Sequence, residues 1–196
     1  MSKFATMSDH ELVDLYEHGT DEAFDVLLAR NQESLFAYII RLTHDAELAN
    51  DVFQETFMKA IVCIRGHQYR ATGKFSAWLM RIAHNLVVDA LRGKKNMPQL
   101  DSDVQNDAVY NNLRLSQECC ETEMLRMADA ATLAQMISRL PAVQQEVVHL
   151  RFYEDLSFKE IAEITNVSIN TALGRIRYAT LNLRKMIADN ALELAV

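Results

Sequence analysis

The chain has 196 residues, of which 49% are hydrophobic and 24% charged, so it can form one or two globular domains with cores of their own. Its five glycines and two prolines are fewer than a strand-rich fold needs for its turns, which favours an all-α protein. The sequence has no apolar run of membrane-spanning length and no signal peptide, so we expect a cytoplasmic protein without membrane insertion.

The net charge of −7 argues against a nucleic-acid-binding protein, but the charges are unevenly distributed. Residues 1–64 carry 4 basic and 12 acidic side chains, and residues 65–95 carry 7 and 1. Residues 96–138 carry 2 basic and 7 acidic side chains, and residues 139–196 carry 7 of each. A polyanion responds to the local field more than to the total charge, so the basic segment is a candidate nucleic-acid surface.

Apolar side chains at helical spacing predict three helices in the first half of the chain. The first helix spans 21–43, with Asp21 as its predicted N-cap, and the second spans 46–64. In the second helix Glu55 can pair with Lys59 one turn later. A polar stretch follows, and a third helix is predicted over 75–92. Its apolar stripe consists of Leu79, Ile82, Ala83, Leu86 and Ala90.

A second face of the third helix combines aromatic, basic and amide side chains. This face holds Phe75, Trp78, Arg81, Asn85 and Arg92. The polar stretch before it adds Arg65, His67, Tyr69, Arg70 and Lys74. Aromatic rings beside arginine and asparagine side chains can hold unstacked bases of a single strand. The alternative is that Phe75 and Trp78 are core residues, and the pattern favours neither reading.

The middle of the chain separates two helical units. Residues 96–118 lack apolar periodicity and are rich in Asn, Asp, Gln and Ser, which predicts a flexible acidic linker. The predicted domains are therefore 8–95 and 119–190. Three cysteines, including the adjacent pair Cys119-Cys120, indicate neither a disulfide framework nor a zinc site. We expect no metal, no cofactor and no catalytic residues.

Residues 157–179, SFKEIAEITNVSINTALGRIRYA, have the pattern of a helix-turn-helix. Ser157 and Glu160 form a predicted capping box at the start of the first helix. Asn166 lies in the turn, where a left-handed conformation is expected, Val167 is the apolar plug, and Ser168 caps the second helix. The inward positions of that helix are Ala172, Ile176, Ala179 and Leu183.

The outward positions of the second helix suit DNA. They are Asn170, Thr171, Leu173, Gly174, Arg175, Arg177 and Tyr178. The first residues of a recognition helix reach base edges, and basic residues contact phosphates. Residues 174–185 contain 4 basic side chains and no acidic one. The alternative is a helical hairpin whose arginines only solvate a face.

Three segments together resemble the extracytoplasmic-function (ECF) group of the sigma-70 family of RNA polymerase sigma factors. They are DAELANDVFQETFMKA at 45–60, GKFSAWLMRIAHNLVVDALR at 73–92, and the segment 140–185 that contains the helix-turn-helix. Their order and spacing make the likeness specific, and it covers about residues 20–95 and 135–188. The resemblance implies a sigma2-like domain and a sigma4-like domain, joined by a linker that threads toward the polymerase's RNA channel.

The resemblance also implies a role for each matching residue. Asp51, Gln54 and Glu55 would contact the coiled coil of the largest subunit of core RNA polymerase, whose flap is a further implied contact. The residues near the opened minus-ten strand would be Tyr69, Arg70, Lys74, Phe75, Trp78, Arg81, Asn85 and Arg92. The residues at the minus-thirty-five duplex would be Ser168, Asn170, Thr171, Leu173, Gly174, Arg175, Arg177 and Tyr178. An anti-sigma factor is a further implied partner.

One departure from the family bears on promoter specificity. The family often has valine, a basic residue and serine where this chain has Ala172, Leu173 and Gly174. Leucine has no donor for the guanine edge, so direct guanine reading at this position is not expected.

Three other functions compete with a sigma factor. A stand-alone, dimeric helix-turn-helix regulator explains residues 157–185 but gives the first unit no purpose. An enzyme is disfavoured because the six histidines are scattered and no Gly-rich phosphate loop is present. A protein-only helical adaptor does not explain the basic segments.

Overall fold

Helices account for all the regular secondary structure in the computed structural model, which describes Phe4 and residues 6–70, 74–94 and 130–193. Within these ranges there is no strand, which confirms the all-α prediction. The helices of the first half are α1 (Asp9–Glu17), α2 (Asp21–Thr43), α3 (Ala46–Arg65) and α4 (Phe75–Lys94). Those of the second half are α5 (Ala130–Ser138), α6 (Ala142–Phe152), α7 (Phe158–Thr165) and α8 (Ile169–Glu193). None of them is long and apolar enough to cross a membrane.

The chain divides into two compact units. In the first, α2, α3 and α4 pack against one another, and α1 packs against α2 and α3. In the second, α5 and α6 pack against α8. The predicted linker, and with it Cys119 and Cys120, lies outside the described residues. The exact domain limits therefore stay predictions.

The core of the first unit is apolar and rich in aromatic side chains. Its largest fully buried side chains are Leu12, Leu27, Leu35, Tyr38, Ile39, Ile64, Phe75, Leu79 and Met80. The hydroxyl of Tyr38 lies 3.2 Å from Nδ1 of His84, so this buried phenol has a polar partner. Full burial of a large apolar side chain contributes about 1.5–3 kcal/mol, so this core is the main source of the unit's stability.

Helix α1 was not among the predicted helices, although its start carries a capping box. The amide of Ser8 donates to Oε2 of Glu11 at 2.7 Å, and the amide of Glu11 donates back to Oγ of Ser8 at 3.4 Å. Hydrogen bonds from the hydroxyl and the amide of Ser8 lower the pKa of the Glu11 carboxyl. The carboxylate is therefore kept in the charged form that favours the positive end of the helix.

The first residues of α2 and α3 differ in how they are capped. Asp21 was predicted to cap α2, and this is wrong, because the N-cap is Thr20 and no side chain caps that end. The carboxylate of Asp21 instead accepts a hydrogen bond from Arg65 at 2.8 Å. In α3, Oδ1 of Asp45 accepts from the amides of Glu47 and Leu48, both at 3.1 Å.

The helix-turn-helix of the second unit has the predicted local geometry. The amide and hydroxyl of Ser157 donate to Glu160 at 2.9 and 2.7 Å, and the amide of Glu160 donates back at 3.3 Å. Asn166 has a φ of 52°, in the left-handed region. The amide of Thr171 donates to Oγ of Ser168 at 3.0 Å, which confirms the second cap.

The inward side of the helix-turn-helix is also as predicted, with two exceptions. Ile161, Ala162, Ile164, Ala172, Ile176, Ala179 and Leu183 are buried. Val167, the predicted plug, is only half-buried. Phe158 is half-buried as well, because its ring lies under the guanidinium of Arg151 at 5.1 Å and not in the core.

Replacing Asn166 by valine should destabilise the turn between α7 and α8. A β-branched residue at a φ of 52° meets steric strain that asparagine and glycine largely avoid. We expect a loss of about 1–2 kcal/mol in the free energy of unfolding. The measurement is urea unfolding of the whole chain, with Asn166→Gly as the control. Equal stability of the two variants would contradict the prediction.

Candidate nucleic-acid interface

Three aromatic side chains form one cluster at the start of α4. The ring centres of Tyr69 and Trp78 are 4.8 Å apart, those of Phe75 and Trp78 are 5.6 Å apart, and those of Tyr69 and Phe75 are 5.9 Å apart. These edge-on and tilted arrangements are favourable for aromatic pairs. We call Tyr69, Phe75 and Trp78 the aromatic cluster.

The three rings differ in burial. This decides which of them are core residues and which are accessible to a nucleic-acid strand. Phe75 is 2% exposed and belongs to the core, so its grouping with the outward face of α4 is corrected. Trp78 and Tyr69 are half-buried and keep part of their surface accessible. Trp78 lies one turn after Phe75 on the same side of α4, with its ring centre 5.6 Å from that of Phe75, but it is less deeply buried.

Tyr69 remains a neutral phenol at physiological pH. Burial and, to a smaller extent, the negative charge of Asp9 raise the pKa of Tyr69 above its ordinary value. A neutral phenol can donate and accept hydrogen bonds, and it does not repel a phosphate. This state suits a ring that lies beside a nucleic-acid strand.

Polar and basic side chains surround the cluster. Arg70 and Lys74 are exposed before α4. On the helix, Asn85 and Arg92 are exposed and Arg81 is half-buried. Trp78, Arg81, Asn85 and Arg92 follow one another at spacings of three, four and seven residues. These spacings place all four on one side of the helix. Arg92 lies 3.8 Å from Asp89, a weak exposed pair that leaves its charge accessible.

The start of α8 presents a mixed polar and apolar surface. Asn170, Arg177 and Tyr178 are exposed, whereas Thr171, Leu173, Gly174 and Arg175 are half-buried. The hydroxyl of Ser168 serves the helix cap and lies 2.9 Å from that of Thr171. Ile169, which was not among the predicted site residues, is 47% exposed beside them. An exposed apolar residue at this position can contact a thymine methyl group.

The outer face of α3 carries the predicted polymerase-binding residues. Asp51, Gln54 and Glu55 are all exposed, and Lys59 lies 3.1 Å from Glu55, as predicted. Met58 and Val62 extend this face and are 67% and 69% exposed. Helical spacing predicts an apolar stripe on α3 that consists of Leu48, Val52, Phe53, Phe57, Ala60, Ile61 and Ile64. Met58 and Val62 do not belong to this stripe, which was the sequence signal that they point outward. We call Asp51, Gln54, Glu55, Met58 and Val62 the α3 face.

No group of three His, Cys or carboxylate side chains within the described ranges could hold a metal ion. Cys63 on α3 is a free, half-buried thiol. The expectation that the chain needs neither metal nor cofactor stays a prediction.

Comparison with known proteins identifies the family. The family profile Sigma-70 region 2 matches residues 27–97, and Sigma-70, region 4 matches residues 130–176. The RNA polymerase sigma-H factor of Pseudomonas aeruginosa is 34% identical over 172 residues, which cover 86% of this chain and 88% of that protein. The ECF RNA polymerase sigma factor SigW of Bacillus subtilis is 30% identical over 174 residues, which cover 87% and 92%.

Solved structures show the same fold. CnrH, in complex with the cytosolic domain of CnrY, has a TM-score of 0.60 at 22% identity, covering 93% of this chain and 99% of that one. RpoE of Bartonella quintana, in complex with the anti-sigma factor NepR, has a TM-score of 0.58 at 22% identity, covering 84% and 96%. The chain belongs to the sigma-70 family, and within it to the ECF RNA polymerase sigma factors. Its class of function is promoter-directed initiation of transcription.

Proposed function

We propose that the protein binds core RNA polymerase through the α3 face, holds the opened minus-ten strand at Tyr69 and Trp78, and contacts the minus-thirty-five duplex through α8. It catalyses no reaction itself and acts in the cytoplasm, where it meets the polymerase. The proposal rests chiefly on two half-exposed rings, Tyr69 and Trp78, that are fixed on the buried ring of Phe75 beside exposed basic side chains.

The α3 face has the chemistry of an anchoring surface. Asp51 and Glu55 provide exposed carboxylates for a basic partner, and Met58 and Val62 provide apolar area that gains free energy when water is removed. Interfaces of this kind combine charge complementarity with an apolar centre. Once the chain is anchored on the polymerase, each DNA contact benefits from a high effective concentration.

The aromatic cluster is suited to capturing an unstacked base. Stacking of a base on an aromatic side chain contributes about 1–3 kcal/mol, which offsets part of the cost of opening the duplex. Phe75 holds the rings of Tyr69 and Trp78 in place before DNA arrives, so little side-chain entropy is lost on binding. Arg70 and Lys74 supply positive charge for the strand's phosphates.

Helix α8 is suited to duplex binding in which phosphate contacts predominate. Arg177 and Tyr178 are exposed, and Asn170 can reach base edges from the first turn. Leu173 and Gly174 cannot form the bidentate contact with guanine that arginine forms. We infer that specificity in this segment depends on Asn170, on the apolar contact of Ile169, and on the shape of the duplex.

We also propose a regulatory partner that competes for the α3 face. RpoE of Bartonella quintana, which shares this fold, was solved in complex with an anti-sigma factor. In this chain, Met58 and Val62 are exposed and lie one turn apart on α3, so a single partner that binds this face can cover both. An anti-sigma factor that covers them would prevent polymerase binding directly.

Replacing Trp78 by alanine should slow promoter opening and leave the protein folded. The ring is half-exposed, so we expect a loss of about 1–3 kcal/mol in capture, equivalent to an about fivefold to 150-fold slower opening of the promoter. Phe75→Ala should instead cost about 3–5 kcal/mol of stability, because that ring is buried. The measurements are permanganate reactivity of minus-ten thymines in holoenzyme complexes and urea unfolding of the free chain.

The matched control for that experiment is Trp78→Phe, which keeps an aromatic surface and should retain most of the opening. A Trp78→Ala chain that folds normally and opens promoters at the wild-type rate would refute strand capture at this ring. A chain that ignores core polymerase and instead binds a palindromic duplex would be a stand-alone helix-turn-helix regulator.

A further inference from the structure

The segment that leads from α3 to the aromatic cluster is held by side chains near the start of the sequence. Nη2 of Arg65 donates to Oδ1 of Asp21 at 2.8 Å, and the Arg65 guanidinium lies 5.1 Å from the centre of the Tyr16 ring. Nδ1 of His67 lies 2.5 Å from Oε1 of Glu17. We call Tyr16, Glu17 and Asp21 the α1–α2 corner. Its contacts with Arg65 and His67 join positions that are 44 and 50 residues apart in the sequence.

The backbone of the held segment has an unfavourable conformation. His67 has a φ of 54°, in the left-handed region, which is uncommon for residues other than glycine although histidine adopts it more often than most. Backbone hydrogen bonds from His67 to Ile64 at 3.0 Å and from Gln68 to Cys63 at 2.9 Å close this turn. Such strain persists where the surroundings hold it in place, and here the Glu17 carboxylate holds the side chain of His67.

The turn determines where Tyr69 lies. Tyr69 follows His67 by two residues, and its ring lies 4.8 Å from that of Trp78 and 5.9 Å from that of Phe75. A different backbone path at His67 would carry Tyr69 away from both rings.

Arg65 is paired with the carboxylate of Asp21, but both side chains are largely exposed, so the pair screens the charge of Arg65 only in part. Arg70 and Lys74, further along, are also exposed.

We propose that the α1–α2 corner is a positioning element for strand capture: Glu17 and Asp21 hold His67 and Arg65 so that Tyr69 is preset against Trp78 to receive an unstacked base. This inference rests on the proposed capture of the minus-ten strand at the aromatic cluster. It makes Arg65 and His67 positioning residues and not phosphate contacts. It also gives Glu17, the last residue of α1, a part in promoter opening.

The test is a charge swap between Asp21 and Arg65. Asp21→Arg places two cations together, and Arg65→Asp places two anions together, so each single variant should slow promoter opening by the holoenzyme about fivefold to tenfold. The double variant restores an opposite-charge pair and should recover most of the loss. Glu22→Arg, an exposed neighbour with the same change in charge, is the matched control.

A second measurement reports whether Tyr69 still covers Trp78 in the free protein. Trp78 is the only tryptophan in the chain, so acrylamide quenching of the free protein measures its accessibility directly. Both single variants should raise the quenching constant, and the double variant should return it toward the wild-type value. Binding to core polymerase should be unchanged in all of them, because the α3 face is not altered.

The outcomes separate this inference from the function on which it rests. Normal quenching and opening in the single variants, with opening lost in Trp78→Ala, would overturn the positioning role and keep strand capture. Loss of opening in Arg65→Asp and in the double variant, with normal opening in Asp21→Arg, would show that Arg65 contacts DNA directly, and would also overturn the positioning role. Normal opening by Trp78→Ala would instead overturn strand capture itself.

Discussion

Arginine at both position 51 and position 55 is expected to abolish binding to core RNA polymerase without unfolding the first unit. Asp51 and Glu55 lie exposed on the α3 face, so their replacement disturbs no core contact. Reversing two charges turns attraction toward a basic partner into repulsion. Disruption of one close interfacial charge pair costs about 2–5 kcal/mol, so we expect at least a hundredfold loss of affinity.

The fold should tolerate these changes because the interactions lost within α3 are weak. The Glu55–Lys59 pair is half-exposed and stabilises the helix by only about 0.3–0.5 kcal/mol. The measurement is fluorescence anisotropy of the labelled protein titrated with core polymerase. The control is Asp25→Arg/Glu33→Arg, which makes the same charge change at exposed positions of α2. Equal binding by the α3 variant and this control would show that the anchor lies elsewhere.

Glutamate in place of Arg177 is expected to weaken promoter binding by the holoenzyme about tenfold to hundredfold at moderate salt, as loss of a phosphate contact and added repulsion would predict. Arg177 is exposed on α8, with no acidic residue between positions 174 and 185 to neutralise it. The loss should be similar for promoters of different minus-thirty-five sequence, because a phosphate contact carries no base information.

Salt dependence checks that assignment independently. Each phosphate contact contributes a slope of about −0.9 to the plot of log affinity against log salt, so Arg177→Glu should reduce the slope by about one. Arg139→Glu, exposed near the end of α5, changes the charge equally outside the recognition helix and should leave the slope unchanged. A loss confined to one promoter sequence would show that Arg177 reads a base.

Local signals in the sequence predicted the helix-turn-helix well. Ser157 pairs with Glu160, and Ser168 with Thr171, three residues apart, so both caps are readable from neighbouring positions. The left-handed conformation of Asn166 is likewise predictable from its residue type in a turn. The same kind of signal was present at Ser8 and Glu11, where α1 went unpredicted. That helix is short, and its apolar residues alone did not make a strong periodic pattern.

Side-chain burial at the aromatic cluster depended on the other helices. Phe75 and Trp78 are three residues apart, and the sequence supported core and surface positions equally for both. The packing of α2 and α3 against α4 buries the first ring and leaves the second half-exposed. The exposure of Met58 and Val62 has the same origin, because none of the described helices of the first unit covers that side of α3.

The sequence by itself determined the helices other than α1, the caps of the helix-turn-helix, the polar faces of α3 and α8, and the family, because these depend on residue types at short and regular spacings. Only the tertiary structure decided that Asp21 pairs with Arg65 and Glu17 with His67, across 44 and 50 residues. It also decided that the buried ring of Phe75 packs against the rings of Tyr69 and Trp78. Such contacts depend on how helices pack, and packing brings together residues whose separation along the chain carries no periodic signal.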